Sequence, residues 1–202
     1  MYTRWLKRTL DFIVALFALV ALSPLFLLTG LILRFTLGPK IIFRQERPGL
    51  HGKPFVLFKF RTMTEDRDRE GNLLPDEERA TLTGRVMRSL SLDEIPELVN
   101  VLRGEMSLVG PRPLLMRYIP RYSPEQARRH EARPGITGWA QINGRNNIDW
   151  DKKLAMDVWY VEHTSFGLDL HILFMTVWKV LRRDGIGKEG HFSSPEFMGP
   201  GS

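Results

Sequence analysis

The 202-residue chain contains no cysteine, which excludes a disulfide framework and any thiolate nucleophile. It has no internal repeat and no low-complexity tract, so neither a stacked array nor a compositionally biased linker organises it. Of its five histidines, His163, His171 and His191 lack metal-ligand spacing, and no catalytic role is expected of them. A glycine-bearing stretch from Arg133 to Arg145 has neither the Walker nor the Rossmann spacing, and no Lys-Ser/Thr pair follows it. A second membrane span is not expected either, because the apolar stretch Phe166 to Leu181 is short and interrupted by Asp169 and His171. What is abundant is positive charge. Lysine and arginine number 29 against 23 acidic residues, for a net charge of +6, and the pI is near 9.8. That balance points to an anionic partner: a phosphate, a nucleotide, a nucleic acid or an acidic lipid.

One run, Phe12 to Leu33, has the length needed to cross a bilayer. Ser23-Pro24 sits at its midpoint, where proline removes a backbone donor and kinks or breaks a helix. Both flanks are basic (Arg4, Lys7 and Arg8 before; Arg34, Lys40, Arg44 and Arg47 after), and cationic flanks prefer the cytoplasmic face. A helix that enters, bends at Ser23-Pro24 and returns satisfies both facts better than a straight span. The expected organisation is therefore an anchor over 1–36, a cytoplasmic domain over 37–198, and an appended Gly-Pro-Gly-Ser remnant over 199–202.

After the anchor, Ile41 to Arg44 and Phe55 to Thr62 read as two strands joined by a turn around Arg47 to Gly52. In the second strand Val56, Phe58 and Phe60 share one face and Lys59 and Arg61 the other. The two cations are either a clamp for a diphosphate or, as is commoner, the wet side of an exposed strand. Glu65 to Thr81 reads as a charged surface loop with a short helix.

The chain is organised around Ser91 to Leu98. Ile95, Leu98, Val99 and Leu102 recur at i, i+3, i+4 and i+7, an amphipathic helix with one buried face. Asp93 and Glu94 open it, and neighbours on a helix point about 100° apart, so they divide labour rather than share it. Two readings stand. Ser91-x-x-Glu94 fits a capping box, or one carboxylate attacks or accepts a proton while the other holds a metal. Arg85 and Arg88 lie just upstream. Downstream, Pro111 and Pro113 bracket Arg112 in a stiff segment suited to a phosphate clamp or to an ordinary turn. Tyr118 to Ala132 reads as helical from a cap near Ser123-Pro124, and Arg133 to Arg145 as a donor-rich loop containing Gln141. Trp150 to His163 and Phe166 to Leu181 read as helices, the latter with an aromatic and basic end suited to a membrane interface.

A carboxylate that attacks phosphorus is repelled by the phosphates already there, so it needs surrounding cations and a divalent metal. The chain offers Asp93 and Glu94, with Lys59, Arg61, Arg88, Arg112, Arg133 and Arg145 as candidate clamps. Mg²⁺ is the expected metal, because it prefers oxygen ligands and bridges phosphates. Two rival functions remain: a membrane-anchored protein that binds anionic lipid or nucleic acid, and a glycosidase using paired carboxylates.

Several long motifs in order, Phe58-Lys59-Phe60-Arg61-Thr62-Met63, Arg88 to Glu94, Gly110-Pro111-Arg112-Pro113 and Arg133 to Gln141, make the chain resemble the bacterial sugar transferases, the small monotopic polyprenol-phosphate phosphoglycosyl transferases. The tail Lys188-Glu189-Gly190-His191 adds a weaker likeness. The resemblance implies an α+β fold: a re-entrant helix-break-helix, then a small mostly helical cytoplasmic domain with a short β-hairpin and interfacial amphipathic helices. It implies that Asp93 is the nucleophile toward a UDP-sugar, releasing UMP, with Glu94 helping to bind Mg²⁺. Polyprenol phosphate would then take the sugar phosphate from the aspartate. Lys59, Arg112, Arg133, Gln141 and Arg145 would hold phosphates or nucleotide, and Asp157 and Asp169, which match acidic positions of the family, are grouped with the substrate-binding residues without individual roles. The implied partners are UDP-sugar, polyprenol phosphate and membrane lipid, without nucleic acid, at the cytoplasmic face of a bacterial inner membrane.

Overall fold

The computed structural model describes residues 2, 4–144, 148–182 and 196–201. The expectations for Arg145, for His191 and for the tail Lys188–His191 lie outside the described residues.

Two helices, α1 (Arg4–Ala21) and α2 (Ser23–Thr36), meet at Leu22 with a 61° bend. The bend follows from the sequence: Pro24 has no N–H to continue the ladder, and the Ser23 hydroxyl donates to Val20 O at 2.7 Å. No single described helix is long and apolar enough to cross a membrane, but the bent pair together has the length and composition. Phe12, Phe17, Val20, Leu27, Leu31 and Phe35 are exposed along the pair, while Ala15 and Leu33 are buried.

The pair is tied to the domain behind it by polar contacts. The Arg8 guanidinium donates to Val101 O and Leu102 O at 2.5 and 2.9 Å. The buried Asp11 carboxylate accepts from the Ser107 hydroxyl at 2.7 Å and the Leu108 amide at 3.2 Å. These groups sit in a mostly apolar contact, where each needs its partner.

Strands β1 (Ile42–Pro48) and β2 (Pro54–Phe60) form an antiparallel hairpin in register from Ile42 opposite Phe60 to Pro48 opposite Pro54. His51 and Gly52 take positive φ in its turn. Lys59 shares its strand face with Phe55 and Leu57, which are buried, so this face points to the core. The wet-side reading of Lys59 is therefore wrong. Helix α5 (Glu97–Arg103) covers this face, and Asn100, fully buried on α5, stitches it to the hairpin. Its side chain accepts from Phe58 N at 3.1 Å and donates to Val56 O at 2.7 Å.

Between hairpin and α5 lie the short α3 (Asp76–Arg79) and α4 (Leu82–Ser89). Thr81 caps α4 by accepting from Gly84 N at 3.0 Å. Beyond α5 come β3 (Ser107–Val109), α6 (Pro124–Ala127), β4 (Gly135–Thr137), α7 (Trp139–Asn143), α8 (Trp150–His163) and α9 (Phe166–Arg182). Two expectations fail here. Tyr118 to Ala132 is not one helix: α6 has only four residues, and 3-10 turns flank it on both sides. Pro120 and Pro124 lack the N–H a continuous ladder needs. Nor is 133–145 merely a loop, because β4 pairs in parallel with β3 and α7 follows it. Gly110 and Gly135 are required there, since a side chain on either would collide with the other's backbone.

On α9 the buried residues are Asp169 and Ile172, while Phe166, Leu170, Phe174, Val177, Trp178 and Leu181 form an exposed apolar stripe. Arg182 lies over the Trp178 ring at its end, 4.3 Å from the centroid.

Candidate active site

Helix α4 ends at Ser89, and Ser91 takes a left-handed conformation (φ 54°) that turns the chain into a 3-10 segment, Leu92–Glu94, ahead of Pro96 and α5. In this conformation the Ser91 side chain makes no cap hydrogen bond. The capping-box reading fails, and Asp93 and Glu94 precede α5 instead of opening it. In a 3-10 turn successive side chains diverge by about 120°, which gives the two carboxylates different surroundings.

Glu94 is clamped. Its Oε1 accepts from Lys59 Nζ and from Arg112 Nη2, both at 2.8 Å. Both cations meet Oε1, and no ion pair among the described residues engages Oε2. Burial disfavours the charge on Glu94, but the Lys59 and Arg112 charges and hydrogen bonds outweigh it and hold the carboxyl down to about 2. Asp93 is differently placed. It is 9% exposed, and among the described residues it is in no salt bridge; Lys59, Arg88 and Arg112 act on it through space. Burial, with the Glu94 charge adding, raises its carboxyl above the ordinary range. Of the two neighbours, Asp93 keeps its oxygens available.

A third carboxylate completes the cluster, and the sequence reading passed over it. Glu97, 2% exposed, sits 2.9 Å from the same Lys59 ammonium. Burial pushes Glu97 up to about 7, with Lys59 opposing and Glu94 adding to the rise. Burial alone would lower Lys59, but Glu94, Glu97 and Asp93 around it leave it raised. The available sign was a glutamate on the apolar face of α5 beside Leu98 and Val101, where an acidic residue needs a buried cation.

The other candidates divide. Arg88 donates to the Thr62 hydroxyl at 2.9 Å and contributes its charge to Asp93. Arg61 lies 3.7 Å from Glu65. Arg133 donates to Gly104 O at 2.9 Å, beyond the C-terminal end of α5. Arg8 serves the adjoining carbonyls, and cations are favoured at a helix C-terminus. Seven residues of helix, about 10 Å, separate Gly104 from the carboxylates. Gln141 donates to Ile136 O at 2.9 Å, and its side-chain oxygen is buried without a partner among the described residues.

Asp157 and Asp169, expected at the substrate, are engaged inside the protein. Asp157 accepts from Arg129 Nη2 at 2.7 Å and Nε at 3.0 Å, a pair with side chains 4% and 2% exposed. Arg129 donates in turn to Arg112 O at 2.7 Å, so Asp157 supports the clamp from behind. Asp169 accepts from Lys7 Nζ at 2.6 Å and from the Tyr2 and Tyr160 hydroxyls at 2.7 Å each. It fastens α1 to α8 and α9. Both carboxylates are buried and held by protein donors, which gives each a part in holding the scaffold together.

Beside Arg112 the surface carries a shallow depression lined by Pro48, Pro111, Pro113, His130 and Pro134. Among the described residues no cluster of three or more His, Cys, Asp or Glu is placed to hold a metal. A magnesium ion needs less than that, since it keeps waters and shares substrate phosphates, using one or two carboxylates. The unengaged Oε2 of Glu94 beside Asp93 fits such an ion.

A family model described as bacterial sugar transferase matches residues 2–183. The chain is 58% identical over 196 residues to the uncharacterized sugar transferase EpsL of Bacillus subtilis (strain 168), covering 97% of each. It is 40% identical over 188 residues to the UDP-glucose:undecaprenyl-phosphate glucose-1-phosphate transferase of Caulobacter vibrioides, covering 88% of this chain and 70% of that one. It is 38% identical over 200 residues to the undecaprenyl-phosphate galactose phosphotransferase of Salmonella typhimurium, covering 91% of this chain and 42% of that protein.

Proposed function

The chain belongs to the bacterial sugar transferase family, and from that premise we propose that it moves a sugar-1-phosphate from a UDP-sugar to polyprenol phosphate, releasing UMP. Relatives named as undecaprenyl-phosphate glucose and galactose phosphotransferases support the reaction class. One observation carries the mechanism: of two adjacent carboxylates, Glu94 is clamped by Lys59 and Arg112 while Asp93 is left open beside the same cations.

Asp93 attacks the sugar-bearing phosphorus. A bond forms from its carboxylate oxygen to that phosphorus, the bond from phosphorus to the bridging oxygen breaks, and UMP leaves with the electron pair. Polyprenol phosphate then attacks the same phosphorus through one of its oxygens, which frees the aspartate and gives polyprenyl diphospho-sugar. Two half-reactions divide one difficult displacement between repelling anions. Lys59, Arg88 and Arg112 offset the charge that gathers there. Glu94, through Oε2, is the residue that would hold Mg²⁺, and a bound Mg²⁺ would supply further neutralisation of the diphosphate.

The acceptor is a lipid, which gives the bent helix pair its role. The pair enters the cytoplasmic leaflet and returns, its exposed apolar residues in acyl chains and the exposed Arg34 and Lys40 at the headgroups. The apolar stripe of α9, ending in Trp178 and Arg182, lies along the same interface. In this arrangement 1–36 is the anchor and 37–198 the catalytic domain at the cytoplasmic face of the inner membrane.

The test is a UMP-release screen across UDP-sugars with polyprenol phosphate as acceptor, followed by intact-mass detection of a phosphosugar adduct. Asp93→Asn should abolish both the release and the adduct. Turnover that survives this substitution sinks the covalent mechanism.

A further inference from the structure

Chain ends usually fray, because few contacts hold them. Here Glu196 and Phe197 pack back onto the body of the protein, and the aromatic ring is buried completely. Phe197 is 0% exposed. Its ring lies 5.7 Å from that of Tyr118, 5.4 Å from Tyr122 and 5.5 Å from Trp150. Polar contacts fix it on both sides. Arg121 donates to Phe197 O at 2.5 Å and pairs with Glu196 at 2.9 Å, while Arg117 reaches the other Glu196 oxygen at 3.2 Å.

The segment thus joins two parts of the fold, the 3-10 turn Met116–Arg121 and the start of α8. Each of these holds Arg112. The turn continues the stiff Pro111-Arg112-Pro113 segment along the chain. The carbonyl of Pro113 is itself approached by Arg47 Nη1 at 3.4 Å. Helix α8 carries Asp157, which holds Arg129, which donates to Arg112 O. With the aromatic slot empty, the ring that bridges Tyr118 and Trp150 would be gone, and their edge contact at 5.8 Å would lose its support. The two supports of Arg112 could then shift relative to each other.

We propose that Glu196 and Phe197 form a strap that positions Arg112 against Glu94, making Phe197 a positioning residue remote from the reacting atoms. The proposal rests on the phosphate-holding role given to Arg112 above. Displacing a clamp by a fraction of an ångström changes rates far more than it changes the fold.

The test uses the full-length chain in one detergent throughout, with Phe197→Ala and the apolar Phe197→Leu compared with the parent. Two readouts are taken: kcat and KM for UMP release, and amide hydrogen exchange by segment. Phe197→Ala should lower kcat/KM by about ten- to a hundredfold and speed exchange in 112–122 and 128–131 while leaving 97–103 unchanged. Phe197→Leu should restore most of both. Unchanged kcat/KM in Phe197→Ala overturns the strap. So does an exchange increase spread evenly through α5, which would mark general loosening instead of positioning. A parent chain that releases no UMP from any UDP-sugar rejects the transferase reading; the strap then stands or falls on whether the exchange change is local.

Discussion

Glu97→Gln is the substitution for which the structure gives both a sign and a size. Glu97 is almost completely buried beside Lys59 and Glu94, and its carboxyl is pushed from 4.5 up to about 7. Between those two values the folded chain retains a proton that the unfolded chain releases, so stability falls as pH rises from about 4.5 to about 7. The difference corresponds to about 3 kcal/mol. Below this window both states are protonated, and above it both are ionised, so no further change is expected from this group. Other groups move in the opposite direction. Glu94, held down to about 2, adds stability as pH rises toward its ordinary value of 4.5. Burial and the Arg129 charge hold His130 down to about 4, and it adds stability up to 6.5. The wild-type profile therefore mixes signs, and the informative quantity is the difference between variant and wild type. Gln keeps the shape of Glu and cannot titrate. The stability of Glu97→Gln relative to wild type should rise by about 3 kcal/mol across the window, read from denaturation midpoints in one detergent. A constant offset between the two curves would refute the assignment of a raised carboxyl at Glu97.

Arg129→Met should destabilise the protein by about 3–5 kcal/mol, because Asp157 is left as an uncompensated buried charge, and Arg129→Met with Asp157→Leu should recover much of that in thermal melts; a double variant no better than the single one contradicts the argument. Pro24→Ala should restore a backbone donor at the 61° bend and favour a straight span. A cysteine placed at the N-terminus, labelled from either side of sealed vesicles, reads this against no background, since the chain has no other. A periplasmic N-terminus in the parent chain would rule out the re-entrant arrangement.

What the sequence disclosed depended on how local the cause was. The break at Ser23-Pro24 and the hairpin were legible because proline chemistry, turn residues and period-2 alternation act within a few positions. The helices from Trp150 and Phe166 were legible because each runs several turns. Strand β4 was not, since three residues are too few to show a period and its partner is β3, across the chain. The capping box misled because Ser91 is left-handed, a conformation set by the tight passage from α4 to α5. The acidic residues were hardest. Asp11, Asp157 and Asp169 owe their roles to partners at sequence separations of 96, 28 and 162 residues, and no spacing rule reaches that far.

The same limit explains why Glu94 and Asp93 could not be told apart from their order in the chain. Their difference is made by Lys59, 35 residues before Glu94, and Arg112, 18 residues after it. Lys59 is itself shared with Glu97, and that sharing has an electrostatic consequence. While Glu97 is protonated, the charges of Lys59, Arg88 and Arg112 exceed those of Asp93 and Glu94, so in the proposed reaction an entering diphosphate would meet a surplus of positive charge. Once Glu97 ionises, the surplus is gone, and Lys59, already 2.9 Å from Glu97, divides its charge between two carboxylates. Near a protein surface a unit charge about 4 Å away is felt at several kcal/mol before screening, enough to govern whether a dianion enters. In the proposed reaction, a buried glutamate that looks like packing on the apolar face of α5 would thus weigh on the same balance that lets one anion approach another.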